Sequence, residues 1–244
     1  MTDGLLLLHA WPLDARMWEP QLQALPPSLP VVAPSHPGFG GTPSAGPVMT
    51  MEIAARSALA ALDAAEIDRA VVCGLSIGGY VTFELWRRAR ERFLGMVLAN
   101  TRAVPDTPEG ARARLDLAER LRSEGNVLVD EPPKLLAPDA PDDLVERVRA
   151  LIADQSAEAI AAASAGMAER PDSTPDLGSI DVPTLVITST ADQLIAADVS
   201  AEMASRITGA RLETIEGVGH LTNLEAPEAF DRLLLEHLAA CGLG

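Results

Sequence analysis

The pentapeptide Gly74-Leu75-Ser76-Ile77-Gly78 follows directly on the apolar run Ala70-Val71-Val72-Cys73 and precedes a helix-forming stretch, Gly79 to Arg88. A serine on such a strand-to-helix hinge forms a nucleophile elbow. The backbone at the serine is strained, and strand and helix approach so closely that only glycine fits two positions to either side. A serine hydroxyl is a poor nucleophile at neutral pH. It needs a base within hydrogen-bond reach, the base needs a group to orient it, and the oxyanion that develops on an attacked carbonyl needs two N–H donors.

Four histidines are available as the base. His237 falls in the final helical stretch, where a core or surface role is expected. His9 ends the first apolar run and His36 sits in Ser35-His36-Pro37-Gly38-Phe39-Gly40, so both precede the elbow and are expected to border the site at most. His220 stands in the glycine-rich turn Glu216-Gly217-Val218-Gly219-His220 after the last strand, at the same rim as the elbow, and is the expected base. The acid must come from another strand end. The run Met96 to Ala99 leads into Asn100 and Thr101 and offers no carboxylate, whereas Thr184 to Thr188 leads to Asp192, which is preferred. Asp198, at the start of the next helix, is the alternative, and an aspartate in either place can simply cap a helix. The order Ser76, Asp192, His220 is that of an α/β-hydrolase triad and differs from other serine-hydrolase orders. One oxyanion donor is expected from the Ile77 N–H, at the positive end of the helix dipole. The other is expected from the loop after the first strand, with Trp11 the leading donor and its ring a candidate pocket wall.

The elements that must bring these residues together are legible as alternating apolar runs and helices. The runs are Leu5–Leu8, Leu29–Ala33, Ala70–Cys73, Gly95–Ala99, Thr184–Thr188 and Ala210–Ile215. Continuous apolar strands separated by helices indicate an α/β fold, a doubly wound, mostly parallel sheet covered on both faces. Thr50 to Ala65 reads as a capped helix with Ile53, Ala54, Leu59 and Leu62 on its inner side. Ala226 to Ala240, with Pro227 in its first turn, reads as the closing helix. Between Asn100 and Val182 the rhythm breaks into helix-forming segments, Pro108–Glu124, Asp142–Ala153 and Ala157–Glu169, punctuated by prolines. The expected division is a core of residues 1–100 and 182–244 with a helical lid insertion, 101–181, over the carboxyl edge. A helical layer with no gating role is the alternative.

Composition narrows the function classes. A formal charge of −16, with Lys134 the only lysine, disfavours nucleic acid and anionic membrane surfaces as partners. Leu5–Leu8 is too short for a signal-peptide core or a membrane span. Cys73 and Cys241 stand far apart and are not expected to pair, so a reduced, cytoplasmic protein is expected. The histidines show no paired ligand spacing, so no metal and no cofactor is expected.

Leu8-His9-Ala10-Trp11-Pro12, Pro37-Gly38-Phe39-Gly40, the elbow, Leu98-Ala99-Asn100-Thr101, Pro183 to Ile187 with Asp192, and Gly219-His220-Leu221-Thr222-Asn223-Leu224-Glu225-Ala226-Pro227 together span nearly the whole chain. In these segments the chain resembles the α/β-hydrolase superfamily. It looks most like the small-molecule esterase and lactonase branch that includes 3-oxoadipate enol-lactonase-like enzymes. The resemblance implies triad roles for Ser76, Asp192 and His220 and oxyanion roles for Ile77 and Trp11. Three departures are visible: His9-Ala10 replaces the usual His-Gly, Ser35-His36 stands where relatives often carry an aspartate, and a leading antiparallel hairpin is not seen.

The expected activity is hydrolysis of a small carboxylic ester or lactone through an acyl-Ser76 intermediate. Serine at the elbow argues against dehalogenase and epoxide-hydrolase chemistry, which in this superfamily uses aspartate there. Carbon–carbon bond hydrolysis or perhydrolysis by the same triad, and a non-enzymatic ligand receptor on the same fold, are the rivals. With few aromatics, the pocket is expected to be aliphatic, with Trp11, Phe39 and Trp86 as candidates near it, although Trp86, on the elbow helix, is expected to belong to the core. Oligomeric state is not readable from the sequence.

Overall fold

The structure is a computed structural model that describes residues 1–243. Strands β1 (Asp3–Leu8), β2 (Val31–Val32), β3 (Arg69–Leu75), β4 (Phe93–Ala99), β5 (Thr184–Ser189) and β6 (Arg211–Ile215) form one sheet in the order β2-β1-β3-β4-β5-β6. Every neighbouring pair is parallel. Leu5, Leu6, Leu7 and Leu8 are all inaccessible to solvent. Successive strand side chains point to opposite faces, so burial of four in a row requires cover on both. Each such leucine contributes about 1.5–3 kcal/mol relative to exposure.

That cover comes from α1 (Glu19–Ala24), which packs on the closing helix α9 (Pro227–Ala240), and from α2 (Met51–Ala64), which packs on α3 (Ile77–Arg88). Thr50 caps α2 as expected, its hydroxyl accepting from Ile53 N at 3.2 Å. The inner face of α2 is Met51, Ala54, Ala55, Ala58 and Leu62, whereas Ile53 and Leu59 are only half-buried. The small alanines let α2 lie close to its neighbours, and the face turns toward them and away from the two larger side chains.

The sheet edges differ from expectation. Only Val31 and Val32 pair at one edge, because Pro30 has no N–H and contributes only its carbonyl, which accepts from Leu5 N at 2.9 Å. At the other edge β6 exposes Arg211, Leu212 and Thr214, so this strand is not the buried run that its apolar residues suggested. Its charges suit an edge that must not recruit another strand.

Between β4 and β5 lie α4 (Pro108–Glu124), α5 (Asp142–Ala153) and α6 (Ala157–Ala168), within a residue of the expected bounds. Thr107 and Ser156 cap α4 and α6 through their hydroxyls. Helix α6 is apolar all round and is buried from Ala159 to Met167, with α4 against it. Gly166 lies so close to the Met49 backbone that a Cβ would collide with it. Beyond β5, α7 (Ala197–Ser205) packs on β5 and β6, and a single turn, α8 (Thr222–Glu225), leads into α9.

Candidate active site

Sheet register sets the site. Leu8 pairs with Gly74, Leu75 with Ala99, Ala99 with Ile187, and Ser189 with Ile215, so the strands end side by side. The segments that leave those ends carry Trp11, Ser76, Asn100, Asp192 and His220 to one rim.

Ser76 adopts φ 58°, ψ −117°, a left-handed conformation that a side chain rarely takes. Holding such a residue costs on the order of 1–3 kcal/mol. The neighbours enforce it: Ser76 N donates to Ala99 O at 3.0 Å, and Ser76 O accepts from Gly79 N at 2.9 Å and Thr101 Oγ1 at 2.8 Å. A Cβ at Gly74 would strike the Gly78 backbone and the Thr82 hydroxyl, and one at Gly78 would strike the Leu8 carbonyl. The glycines at 74 and 78 are therefore steric requirements of the turn.

His220 Nδ1–H donates to Asp192 Oδ2 at 2.8 Å, with both side chains essentially inaccessible. The carboxylate is fully engaged: Asn100 Nδ2 donates to Oδ2 at 3.0 Å, and Leu194 N and Ile195 N donate to Oδ1 at 2.8 and 3.0 Å. Burial alone would raise the Asp192 pKa. The hydrogen bond and charge of His220, with the Ile195 and Asn100 donors, outweigh it and hold the carboxyl below its ordinary range. Asp198, the alternative acid, is exposed, and its carboxylate accepts from Val199 N at the start of α7.

A cavity of about 150 Å³ opens at this rim, lined on the sheet side by Trp11, Ser76, Tyr80 and His220. Among the described residues Ser76 Oγ and His220 Nε2, which border this cavity, form no hydrogen bond with each other. The N–H groups of Trp11 and Ile77 donate to no acceptor among the described residues. Ile77 begins α3, so its N–H lacks an intrahelical partner in any case. The Trp11 indole donates to Ile160 O on α6 at 3.2 Å. Phe39, a candidate for the pocket wall, is buried in the core instead, and Trp86 lies in the core as expected, packed on Phe93.

The far wall departs from the aliphatic pocket that composition suggested. Arg102 and Arg114 line it, with Pro133 and Met167. Pro133 also borders a neighbouring groove of about 210 Å³ whose lining includes Lys134, Val145, Arg149 and Ile152.

Sequence reading passed over several residues that hold the site. Asn100, with φ 43°, donates to Asp192 and to Ser189 Oγ at 2.9 Å while accepting from Thr222 Oγ1 at 2.8 Å. An asparagine at a strand end, where left-handed backbone is tolerated, was the available signal. Glu225 accepts from Gly219 N at 2.9 Å and Ala137 N at 2.8 Å, tying the His220 turn to the segment before α5. Leu135 O accepts from both His220 N and Leu221 N at 3.0 Å.

His9 and His36 form a buried pair with ring centroids 4.1 Å apart. His9 Nε2 accepts from His36 N at 2.8 Å, so its proton is on Nδ1, which donates to Ala10 O. Desolvation pushes the pKa of His9 down to about 4 and that of His36 well below its usual value. The pair pins the Trp11 loop and leaves no free base there. His237 is likewise buried and lowered to about 4 by burial, and Cys73 and Cys241 are both free thiols.

Among the described residues no cluster of three or more His, Cys, Asp or Glu side chains is placed to hold a metal ion. No helix among them is long and apolar enough to cross a membrane.

An all-parallel sheet with a strained serine between its third strand and the following helix is the architecture of a hydrolase. Residues 5–233 match the alpha/beta hydrolase family, and the chain belongs to it. It is 30% identical over 239 residues to the pimeloyl-(acyl-carrier protein) methyl ester esterase of Aromatoleum aromaticum, covering 92% of this chain and 93% of that one. It is 29% identical over 222 residues to 3-oxoadipate enol-lactonase 1 of Acinetobacter baylyi, covering 89% and 81%. Among solved structures, a malate-bound thermophilic esterase from Thermogutta terrifontis superposes with a TM-score of 0.92 at 36% identity, covering 99% of this chain and 92% of the other.

Proposed function

We propose that this chain is a serine hydrolase that cleaves a small carboxylic ester or lactone through an acyl-Ser76 intermediate. The observation that carries the reading is the 2.8 Å contact between His220 Nδ1 and Asp192 Oδ2, buried at the edge of the cavity that Ser76 lines. With Nδ1–H committed to an ionised carboxylate, Nε2 is the basic nitrogen.

In this reading Nε2 takes the Ser76 proton as Oγ attacks the carbonyl, and the tetrahedral oxyanion is received by the N–H groups of Trp11 and Ile77. Nε2 then returns the proton to the leaving alcohol. Water, deprotonated in turn by His220, attacks the acyl-serine, releasing the acid and restoring Ser76. Asp192 holds the tautomer and stabilises the imidazolium. Residues 101–181 act as the lid, since Arg102, Arg114, Pro133 and Met167 close the cavity from that interval.

Turnover of short-chain p-nitrophenyl esters and of a lactone panel, including acyl-homoserine lactones and an enol-lactone, tests the reading. Multiple turnover that disappears in Ser76→Ala supports it; activity that persists in Ser76→Ala overturns it.

A further inference from the structure

The far wall of the cavity is built around Asp106, whose side chain is 4% exposed. Three guanidinium groups converge on this one carboxylate: Arg102 through Nη2, Arg114 through Nε, and Arg170 through both Nη atoms. Together they leave two positive charges uncompensated. Arg170 is buried, stacks over the Tyr80 ring at 4.3 Å, and donates further to Met167 O and Val104 O. It is a structural member. Arg102 and Arg114 differ, because they line the cavity, their side chains are about a quarter exposed, and neither pairs with a second carboxylate among the described residues. Arg114 is anchored through Nε, which leaves both Nη groups of its planar fork without a protein acceptor among the described residues. The Nε of Arg102 is a buried donor with no partner.

Three largely buried cations that share one carboxylate are costly, and they stand here in a chain of net charge −16. A planar guanidinium fork matches a carboxylate in shape and charge. The cavity, at about 150 Å³, is below the usual range for drug-sized ligands, so one short molecule reaches both walls.

We infer that the substrate is an ester or lactone carrying a free carboxylate a few bonds from the scissile carbonyl, and that Arg102 and Arg114 bind that carboxylate. The inference rests on the proposed hydrolase reading and names its substrate class. It gives the two walls separate tasks: the sheet rim attacks, and the arginine wall fixes which end of the molecule faces Ser76.

The test compares kcat/KM for monomethyl glutarate with that for dimethyl glutarate, and measures inhibition of p-nitrophenyl acetate hydrolysis by glutarate. The anionic half-ester is expected to be preferred at least tenfold, as a charge-assisted hydrogen bond allows. Glutarate is expected to inhibit competitively and to bind Ser76→Ala in calorimetry. Arg114→Gln and Arg102→Gln are expected to bring the ratio toward one, mainly through KM, with Arg114→Lys intermediate.

A wild-type enzyme that hydrolyses the neutral diester as well as the half-ester, and that glutarate does not inhibit, overturns the inference while leaving the hydrolase reading intact. Glutarate binding to a protein that turns over no ester at all would instead sink the hydrolase reading and leave the anion site standing. The wild-type comparison and inhibition need no folded variant.

Discussion

Two buried carboxylates serve the two walls of one cavity, and they are held in opposite ways. Asp192 is gripped by a titratable imidazole, an amide and two backbone N–H groups. Asp106 is gripped by three permanent cations. Burial works against ionisation of both, and both are nonetheless held low, Asp106 at about 2, chiefly through Arg170 and Arg114. At the Asp192 wall charge can appear and vanish on the partner, which suits proton transfer. At the Asp106 wall charge is fixed, which suits recognition. Similar burial and similar depression of a carboxyl group therefore say little about role; the chemistry of the partner decides it.

The sharpest way to break the contrast is Asp192→Asn. It keeps the shape but permits the wrong His220 tautomer, and kcat for a p-nitrophenyl ester is expected to fall by roughly 10⁴. An unchanged rate would remove Asp192 from the mechanism.

Asp106→Asn attacks the other wall. It leaves Arg170, 3% exposed, without its carboxylate, and urea unfolding is expected to show a loss of about 3–5 kcal/mol. A loss below about 1 kcal/mol would mean that the cluster is not held by charge.

Acid probes a third set of buried groups. His9 and His237, lowered to about 4, and His36, held well below its ordinary value by burial, are neutral in the fold but protonate near 6.5 when unfolded. The unfolded chain then binds more protons, so stability falls as pH drops from about 6.5 to 4. Glu225 and Asp231, whose carboxyls are raised by burial, act in the opposite sense toward the acid end of that window. The urea midpoint at pH 7.5, 5.5 and 4.5 should decline; a flat profile would mean that the histidines are not desolvated.

The smallest expected effect is that of Asn100→Ala, which removes one of four donors to Asp192 and leaves the His220 contact in place. A loss of about tenfold in kcat is expected, with little change in KM. A loss as large as that of Asp192→Asn would make Asn100 indispensable to the orientation of the pair.

Most of what lies on the sheet was readable from residue pattern. A parallel sheet places every strand end at one rim, so locating the strands located Ser76, Asp192 and His220 as well. The edges were read less well, because β2 and β6 are limited by pairing partners and exposure rather than by their own apolar residues. Asn100 and Glu225 escaped because their roles are hydrogen bonds to groups remote in sequence, which no local period reports. The arginine wall escaped for a different reason. The helices between β4 and β5 show which face is polar, yet Arg102 in a loop, Arg114 on α4 and Arg170 beyond α6 meet only through the packing of α4 on α6.

Lys134 is the sole lysine, is exposed, and follows the proline that the cavity shares with its neighbouring groove. Amine-directed labelling therefore has one side-chain target besides the α-amino group. A fluorophore attached there sits beside the mouth, where its emission can report occupancy without an engineered cysteine.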